Sequence, residues 1–264
     1  MKVFNFNRIG NTVFVLIQRQ LLLLSLVFMS LSTKANTNRD TLRVLFVGNS
    51  YIYYNNLIQM VSLLSDSIDT KLICTKSTLG GSHLGEHWNS LKGLQSKQLI
   101  EKNKYDIVVI QDNSMWPIDH PDSLLWYGNK FCDLIKSRSA KPFLYNTWSR
   151  KKTPQTQDQI NRAYENVGSA CGAKIVPVGQ IFQEVIKAKP EWELYHGDGS
   201  HPSPLGTFIA SLAFVKSFTG KLPDRIPTVF NYFDRDGETF RIMQVTQEEI
   251  AFGKLIVAKL NVPN

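Results

Sequence analysis

A serine, an aspartate and a histidine in this sequence have the types and surroundings needed for nucleophilic catalysis. Ser50 ends the tripeptide Gly48-Asn49-Ser50, which follows an apolar stretch and precedes a helical one. Such a serine points its hydroxyl out of a sheet edge, which suits a nucleophile, although serine also commonly caps a helix there. Asp198 and His201 share one short loop, and a histidine that takes a proton from serine needs an acceptor for its other ring nitrogen. The D-x-x-H spacing can supply both groups, while a competing interpretation makes Asp198 a turn residue.

Glycines and amides follow two further apolar stretches and could stabilise a negatively charged oxygen. Gly80-Gly81 lets a backbone N–H approach a ligand closely, because glycine has no side chain in the way. Gln111 and Asn113 carry side-chain amides, which donate hydrogen bonds without titrating. These residues predict a place where a developing oxyanion is held.

Short apolar runs that alternate with segments of helical period must position these residues. We predict strands at 42–47, 71–75, 106–110, 142–145 and 174–178. We predict helices at 57–68, 123–137, 155–171, 181–188, 205–218 and about 247–260, with turn residues between 223 and the last helix. Apolar strands separated by helices favour a parallel sheet covered on both faces, so the predicted fold is an α/β three-layer α/β/α sandwich. Sites in such sheets lie beyond the carboxyl ends of the strands, which is where Ser50, Gly81 and Asn113 fall.

Four sequence blocks over about residues 42–220 resemble those of the SGNH (GDSL-like) hydrolases, in the order that the family has them. The blocks are Val47-Gly48-Asn49-Ser50-Tyr51, Gly80-Gly81-Ser82-His83-Leu84, Gln111-Asp112-Asn113-Ser114 and Asp198 through Gly206, with Thr147-Trp148 before the last. Asn49 stands where the usual block has aspartate, and the third block lacks the usual G-x-N-D. The resemblance implies a flavodoxin-like five-stranded sheet, with Ser50 as nucleophile, His201 as base and Asp198 orienting the base.

The same resemblance implies an oxyanion hole. It would be formed by the N–H groups of Ser50 and Gly81 and the side-chain amide of Asn113, with Gln111 as the alternative amide. We expect the Ser50 and His201 side chains to lie about 3–4 Å apart. The implied reaction is ester hydrolysis through an acyl-serine intermediate.

Residues 1–35 follow a different pattern from the rest. A basic stretch ending at Arg19 precedes the apolar run 21–31, which is shorter than the ~20 residues of a spanning helix, and small residues surround Ala35. This pattern predicts a signal peptide at 1–35 and a hydrolase domain with a C-terminal helical extension at 36–264, with an uncleaved N-terminal anchor as the alternative. We therefore expect a secreted or periplasmic protein without stable membrane insertion after cleavage. The first 35 residues carry four of the eight net positive charges, and basic residues do not cluster with aromatics, so we expect no nucleic-acid partner.

Two further patterns concern metals and cysteines. His83-Leu84-Gly85-Glu86-His87 matches the H-x-x-E-H signature of zinc peptidases, but Gly85 weakens the required helix, so we expect neither a metal nor another cofactor. The three cysteines, Cys74, Cys132 and Cys171, cannot all pair with one another. Cys74 and Cys171 lie in apolar patterns and are predicted to be small buried side chains.

Export and aromatic residues near the proposed site direct the substrate prediction. Tyr51, Trp88 and Trp148 are the candidate substrate-binding residues, because aromatic faces suit the C–H surfaces of sugars. The predicted partner is a carbohydrate or another small ester, and O-acetyl groups on polysaccharides are the preferred class by fold-level analogy. The alternatives are a lipase or lysophospholipase, and a non-catalytic carbohydrate-binding protein on the same fold. The sequence leaves the acyl chain length and the oligomeric state open.

Overall fold

A computed structural model describes residues 39–259, whose fold is built on one parallel sheet. The strands of this sheet are β1 (Asp40–Gly48), β2 (Thr70–Thr78), β3 (Ile107–Ile110), β4 (Lys141–Asn146) and β5 (Lys174–Pro177). They lie in the order β2-β1-β3-β4-β5, and every neighbouring pair is parallel. The predicted α/β fold with a five-stranded parallel sheet is confirmed.

The central strands are apolar because both of their faces are covered. Val44 and Phe46 of β1 pack into one core cluster, while Leu45 and Val47 pack into the other. All four residues of β3, in the segment Ile107–Ile110, are likewise buried. A strand that is covered on both faces has a continuous apolar run instead of an alternating one, as these two strands do.

Helices form a layer on each face of the sheet. In chain order they are α1 (Ser50–Tyr53), α2 (Leu57–Ser65), α3 (Leu84–Trp88), α4 (Ser96–Lys102), α5 (Trp116–Asp119), α6 (Pro121–Ser137), α7 (Gln157–Cys171), α8 (Val178–Ala188), α9 (Pro204–Thr219) and α10 (Gln247–Lys259). Buried side chains of α2, α8, α9 and α10 share one core cluster, and those of α3, α4, α6 and α7 share the other. These two layers and the sheet between them make the predicted three-layer sandwich.

The strand register brings the carboxyl ends of three strands to one edge. Gly48 of β1 pairs with Thr78 of β2, and Val47 pairs with Ile110 of β3. The connections that leave these strands therefore begin side by side. They contain the segments 49–50, 79–81 and 111–113, in which the candidate residues lie.

The segment after α9 differs from the prediction. A hairpin of β6 (Val229–Phe233) and β7 (Thr239–Gln244) precedes α10, so the extension is a hairpin plus a helix. The hairpin contributes few residues to the core: Phe230 and Met243 are buried, while most of its other residues are exposed. With few buried positions, its sequence has no clear alternating pattern, and only the helix was predicted.

The structure also corrects the interpretation of the cysteines. Cys132 of α6 and Cys171 of α7 form a disulfide across a Cα separation of 6.2 Å. Cys171 is buried as predicted, but it is paired and does not act as an isolated apolar side chain. Cys74 is free and half-buried.

The predicted signal peptide lies outside the described residues. Within residues 39–259, none of the helices combines the length and the apolar character needed to cross a membrane.

Candidate active site

The candidate nucleophile Ser50 is the first residue of α1, directly after the end of β1. Asn49 precedes the helix as its N-cap, and its side-chain oxygen accepts a hydrogen bond from the Tyr51 N–H at 3.2 Å. The sequence allowed Ser50 to cap the helix, but the residue that caps α1 is Asn49. Ser50 keeps a half-buried hydroxyl, and its backbone N–H lies in the first helical turn, where helix geometry supplies no acceptor.

His201 connects Ser50 to Asp198 through its two ring nitrogens. Its Nε2 lies 2.8 Å from Ser50 Oγ, and its Nδ1 lies 2.6 Å from Asp198 Oδ2. A carboxylate at Nδ1 keeps that nitrogen protonated and leaves Nε2 as an acceptor for the serine proton. The structure therefore brings the three predicted side chains together in an arrangement that can deprotonate Ser50 as it attacks a carbonyl.

Asp198 fills both of the roles that the sequence left open. Its Oδ1 accepts hydrogen bonds from the Ser200 and His201 backbone N–H groups, each at 2.9 Å, so it closes the turn. Its Oδ2 is the acceptor for the His201 ring. Desolvation acts to raise the pKa of Asp198, but the hydrogen bonds from the His201 ring and from these two N–H groups hold it well below its usual range.

The loop that carries Asp198 and His201 is closed by backbone hydrogen bonds. His196 N donates to His201 O and Gly199 N donates to His196 O, each at 2.8 Å. Gly199 has a φ of +69°, a left-handed conformation that a residue with a side chain adopts only at a cost. We call residues 196–201 the catalytic loop.

Residues between α1 and α2 support the histidine from the other side. The Tyr54 ring stacks on the His201 ring, with centroids 4.3 Å apart. Asn55, in a left-handed conformation, donates from Nδ2 to Pro202 O at 2.8 Å. The segment that follows the nucleophile is therefore packed against the base.

Tyr51 and Trp148 were predicted to contact substrate, and the structure corrects this. Tyr51 is 3% exposed and Trp148 is 1% exposed, and their rings stack on each other with centroids 4.8 Å apart. The Tyr51 hydroxyl lies 2.8 Å from Ser200 Oγ, and Trp148 Nε1 donates to Ser200 O at 2.9 Å. Because these rings fill the space beneath the catalytic loop, they support it from inside and are not available to a ligand.

Trp88, the third candidate substrate-binding residue, is half-buried, and its contact with substrate stays a prediction. Its ring meets Phe131 of α6 edge-on, with centroids 5.2 Å apart. The ammonium groups of Lys97 and Lys130 lie 5.0 and 5.3 Å from the same indole. Phe131 and the two lysines thus occupy the surroundings of this indole, on the layer formed by α4 and α6.

Gly81 and Asn113 lie next to each other, as an oxyanion hole would require. Asn113 Nδ2 donates to Gly81 O at 2.8 Å, which uses one of the two amide hydrogens and leaves the second free. Gly81 is exposed with a φ of +71°, and a Cβ placed on it would meet nothing within 4 Å. Its backbone is therefore open to an approaching ligand.

Gln111, the alternative amide, has a structural role. It is fully buried, its Oε1 accepts from Asn49 N at 3.0 Å, and its Nε2 donates to Asp112 O. Asn49 in turn donates from Nδ2 to Ser82 O at 3.1 Å and to Asp112 O at 3.2 Å. These amides join the ends of β1 and β3 to the turn after β2, beneath the oxyanion residues.

Two titratable groups are buried below the same turn. Asp112 Oδ1 accepts from Leu84 N at 2.9 Å and Asn113 N at 2.8 Å, and burial raises the pKa of Asp112 to about 7 despite these bonds. Burial lowers the pKa of His87 to about 4. Both groups are therefore largely uncharged in the folded protein at mildly acidic pH.

The H-x-x-E-H segment has its histidines in different surroundings. His87 is fully buried, with Nδ1 2.6 Å from Ser96 Oγ and Nε2 3.0 Å from Gly48 O. His83 stacks on Trp116, with centroids 4.7 Å apart. No group of three His, Cys, Asp or Glu side chains within residues 39–259 is arranged to hold a metal ion.

Arg150 and the supporting residues Asn49 and Tyr54 were not among the predicted site residues. Arg150 is exposed beyond β4 and donates from Nη2 to Ser114 Oγ at 3.3 Å, beside the oxyanion residues. Its position after the Thr147-Trp148 block was the available signal. Asn49, which stands where the usual block has aspartate, caps α1 and donates to Ser82 O and Asp112 O.

Solved structures of other proteins are similar to this chain in fold. No family model matches this chain, and no curated protein matches it. Among solved structures, a candidate SGNH hydrolase from Slackia heliotrinireducens is 25% identical, with a TM-score of 0.58 over 67% of this chain and 98% of that one. A DUF4886 family protein from Bacteroides uniformis ATCC 8492 is 16% identical, with a TM-score of 0.66 over 83% of this chain and 94% of that one. The acetyl xylan esterase AlAXEase is 14% identical, with a TM-score of 0.52 over 65% of this chain and 97% of that one.

The parallel sheet, its two helical layers and these structural similarities agree with the family resemblance of the four sequence blocks. This chain therefore has the fold of the SGNH hydrolases.

Proposed function

We propose that this protein is an exported serine esterase that works through an acyl-serine intermediate. The observation that carries the proposal is the continuous hydrogen-bonded chain from Ser50 Oγ through the His201 ring to Asp198. A buried structural histidine needs no serine hydroxyl and carboxylate on opposite ring nitrogens, whereas a general base for serine needs both. Similarity to a candidate SGNH hydrolase supports the same reaction class.

The proposed reaction has two halves. Ser50 Oγ attacks the ester carbonyl carbon while His201 Nε2 takes its proton, and the carbonyl oxygen becomes an oxyanion held by the N–H groups of Ser50 and Gly81 and the amide of Asn113. His201 then protonates the leaving alcohol as the C–O bond breaks, which leaves an acyl-serine. Water, deprotonated by His201, attacks the acyl-serine and releases the acid and free Ser50.

We further propose that the ester is an O-acetyl group on a carbohydrate and that the enzyme acts outside the cytoplasm. The first point follows fold-level analogy with the acetyl xylan esterase AlAXEase, which has the same fold. The Cys132–Cys171 disulfide supports the second, since disulfides persist in oxidising compartments.

The test measures hydrolysis of p-nitrophenyl esters from acetyl to octanoyl by wild type, Ser50→Ala and Ser67→Ala. Ser67 precedes β2 at the opposite edge of the sheet, so its substitution is a matched control for the loss of a serine hydroxyl. We expect the Ser50→Ala rate to fall by at least about a thousand-fold, because the attacking oxygen is lost. Ser67→Ala should retain the wild-type rate.

Two results would count against the proposal. An Ser50→Ala enzyme that keeps more than a few per cent of the activity, with contamination excluded, would overturn the assignment of the nucleophile. Equal or rising activity toward octanoyl esters would favour a lipase-like enzyme over an acetylesterase.

A further inference from the structure

Arg150 is an exposed cation in a loop that is hydrogen-bonded to the catalytic loop on both sides of it. Two residues earlier, Trp148 Nε1 donates to Ser200 O at 2.9 Å, and one residue later, Lys151 N donates to Gly199 O at 2.9 Å. The two acceptors belong to the residues that separate the triad acid from the triad base. The backbone of Arg150 therefore has a defined position beside the triad, while its side chain reaches solvent.

The guanidinium bridges from this loop to the segment that follows β3. Its Nη2 donates to Ser114 Oγ at 3.3 Å, and Ser114 directly follows Asn113. Burial raises the pKa of the Tyr51 phenol, and the positive charge of Arg150 is one of the influences that oppose this rise. Through Ser114 the cation is held beside the segment that carries Asn113.

No carboxylate within residues 39–259 forms a salt bridge with Arg150. Its neighbour Lys151 pairs with Glu193, and Asp198 pairs with His201. A guanidinium has a planar fork of N–H donors, and the contact with Ser114 leaves most of them free. Such a fork matches the two oxygens of a carboxylate.

The location of Arg150 beside the catalytic loop indicates that it contacts the alcohol part of the ester. His201 must protonate the leaving alcohol, so that part of the substrate lies against the catalytic loop, while the carbonyl oxygen faces Gly81 and Asn113. We propose that Arg150 binds a carboxylate on the alcohol part of the substrate. The preferred substrate is then an acylated hydroxy acid, such as an acetylated sugar acid. This inference rests on the proposed esterase function.

The test compares 4-acetoxybenzoate with methyl 4-acetoxybenzoate, which share the acetyl group and differ in the charge on the alcohol part. Differences in intrinsic reactivity cancel when the ratio of kcat/KM for the two esters is compared between wild type and variants. In Arg150→Gln this anionic-to-neutral ratio should fall about ten-fold, the effect of losing one charged hydrogen-bonding partner. In Arg150→Lys, which keeps the charge but loses the fork, it should fall less.

The control is Lys152→Gln, which removes one positive charge from an exposed position two residues away. Its anionic-to-neutral ratio should match that of wild type. A second pair, an acetylated methyl glucuronoside and the matched methyl glucoside, separates sugar acids from other hydroxy acids. The pair that shows the larger dependence on Arg150 identifies which kind of acid the site accepts.

The outcomes distinguish this inference from the proposed function. If Ser50-dependent hydrolysis occurs and the ratio is unchanged in Arg150→Gln, or falls equally in Lys152→Gln, the role of Arg150 is overturned and the esterase proposal stands. If wild type hydrolyses none of these esters, both proposals fail.

Discussion

At the scale of single residues, the two oxygens of Asp198 have separate tasks. Oδ1 holds the turn through two backbone N–H groups, and Oδ2 holds the His201 ring. An amide at this position keeps the first task, because its oxygen can still accept both N–H groups. It reverses the second, because its NH₂ group then faces Nδ1 and donates to it.

We therefore predict a loss of catalysis without a loss of folding in Asp198→Asn. The reversed hydrogen bond moves the ring proton to Nε2, which can no longer accept the proton of Ser50, so kcat should fall by about 10³–10⁴-fold. His201→Ala should lose nearly as much as Ser50→Ala, since both remove a reacting atom. The measurement is kcat on p-nitrophenyl acetate from neutral to alkaline pH.

The pH series tests whether hydroxide rescues Asp198→Asn, and unfolding curves test whether the variant is still folded. Raising the pH should partly rescue Asp198→Asn if hydroxide can replace the missing base. The denaturant midpoint should remain close to that of wild type. Turnover that is nearly unchanged, with an unchanged pH profile, would mean that another group orients His201.

At the scale of elements, the disulfide connects two neighbouring helices. Cys132 on α6 and Cys171 on α7 are 39 positions apart in the sequence, and the residues between them contain β4 and most of α7. Closing a loop of that size restricts the unfolded chain, and the restriction corresponds to about 4 kcal/mol of stability in the chain-entropy description.

We predict that Cys132→Ala and Cys171→Ala each lower the free energy of unfolding by about 2–4 kcal/mol. A reducing agent should have a similar effect on wild type and none on either variant. Cys74→Ala is the matched control, because it removes a free thiol and leaves the disulfide in place. Reduction should lower its stability as much as it lowers that of wild type. Urea unfolding with and without reductant makes the comparison, and equal stabilities in the two conditions would show that the bond contributes nothing.

The elements show how far the sequence could predict this structure. Fully buried strands such as β3 and long amphipathic helices such as α7 have patterns set by burial, and these were predicted to within a few residues. The β6–β7 hairpin was missed because so little of it is buried. Cys132 and Cys171 were missed as a pair because nothing in the sequence places α6 beside α7.

The candidate site divides in the same way. Ser50, Asp198 and His201 could be found because each lies in a short block whose local spacing serves its chemistry. Tyr51 and Trp148 were misjudged because an aromatic near a site in sequence can face either solvent or the core, and only the packing decides which. The contact of Arg150 with Ser114 joins residues that are 36 positions apart, and local spacing carries no information about it.

At the scale of the whole molecule, two buried groups respond to pH in opposite directions. The pKa of Asp112 rises from 3.8 to about 7 on folding, so its contribution to stability is present below pH 3.8 and is lost as pH rises through 7. The pKa of His87 falls from 6.5 to about 4, so its contribution is present above pH 6.5 and is lost as pH falls through 4. Between these limits the two effects oppose each other.

We predict that Asp112→Asn removes the loss of stability that the ionisation of Asp112 causes as pH rises. The variant cannot release a proton, so its free energy of unfolding relative to wild type should increase by about 1–3 kcal/mol between about pH 4.5 and about pH 8. The measurement is urea unfolding at both pH values. An Asp112→Asn protein whose stability follows that of wild type across this range would show that Asp112 does not titrate there.

The hydrogen bonds between the loop after β4 and the catalytic loop have a consequence for recombination between homologous genes. Trp148 and Lys151 donate to carbonyl oxygens of Ser200 and Gly199, although about fifty positions separate the two loops. Residues 147–151 and 196–201 should therefore come from the same parent gene. A chimera with its crossover between residues 152 and 195 takes the two loops from different parents. The donors at positions 148 and 151 then face a catalytic loop whose backbone belongs to the other parent and can have a different conformation. Crossovers before residue 147 or after residue 201 take both loops from one parent and keep these two hydrogen bonds intact.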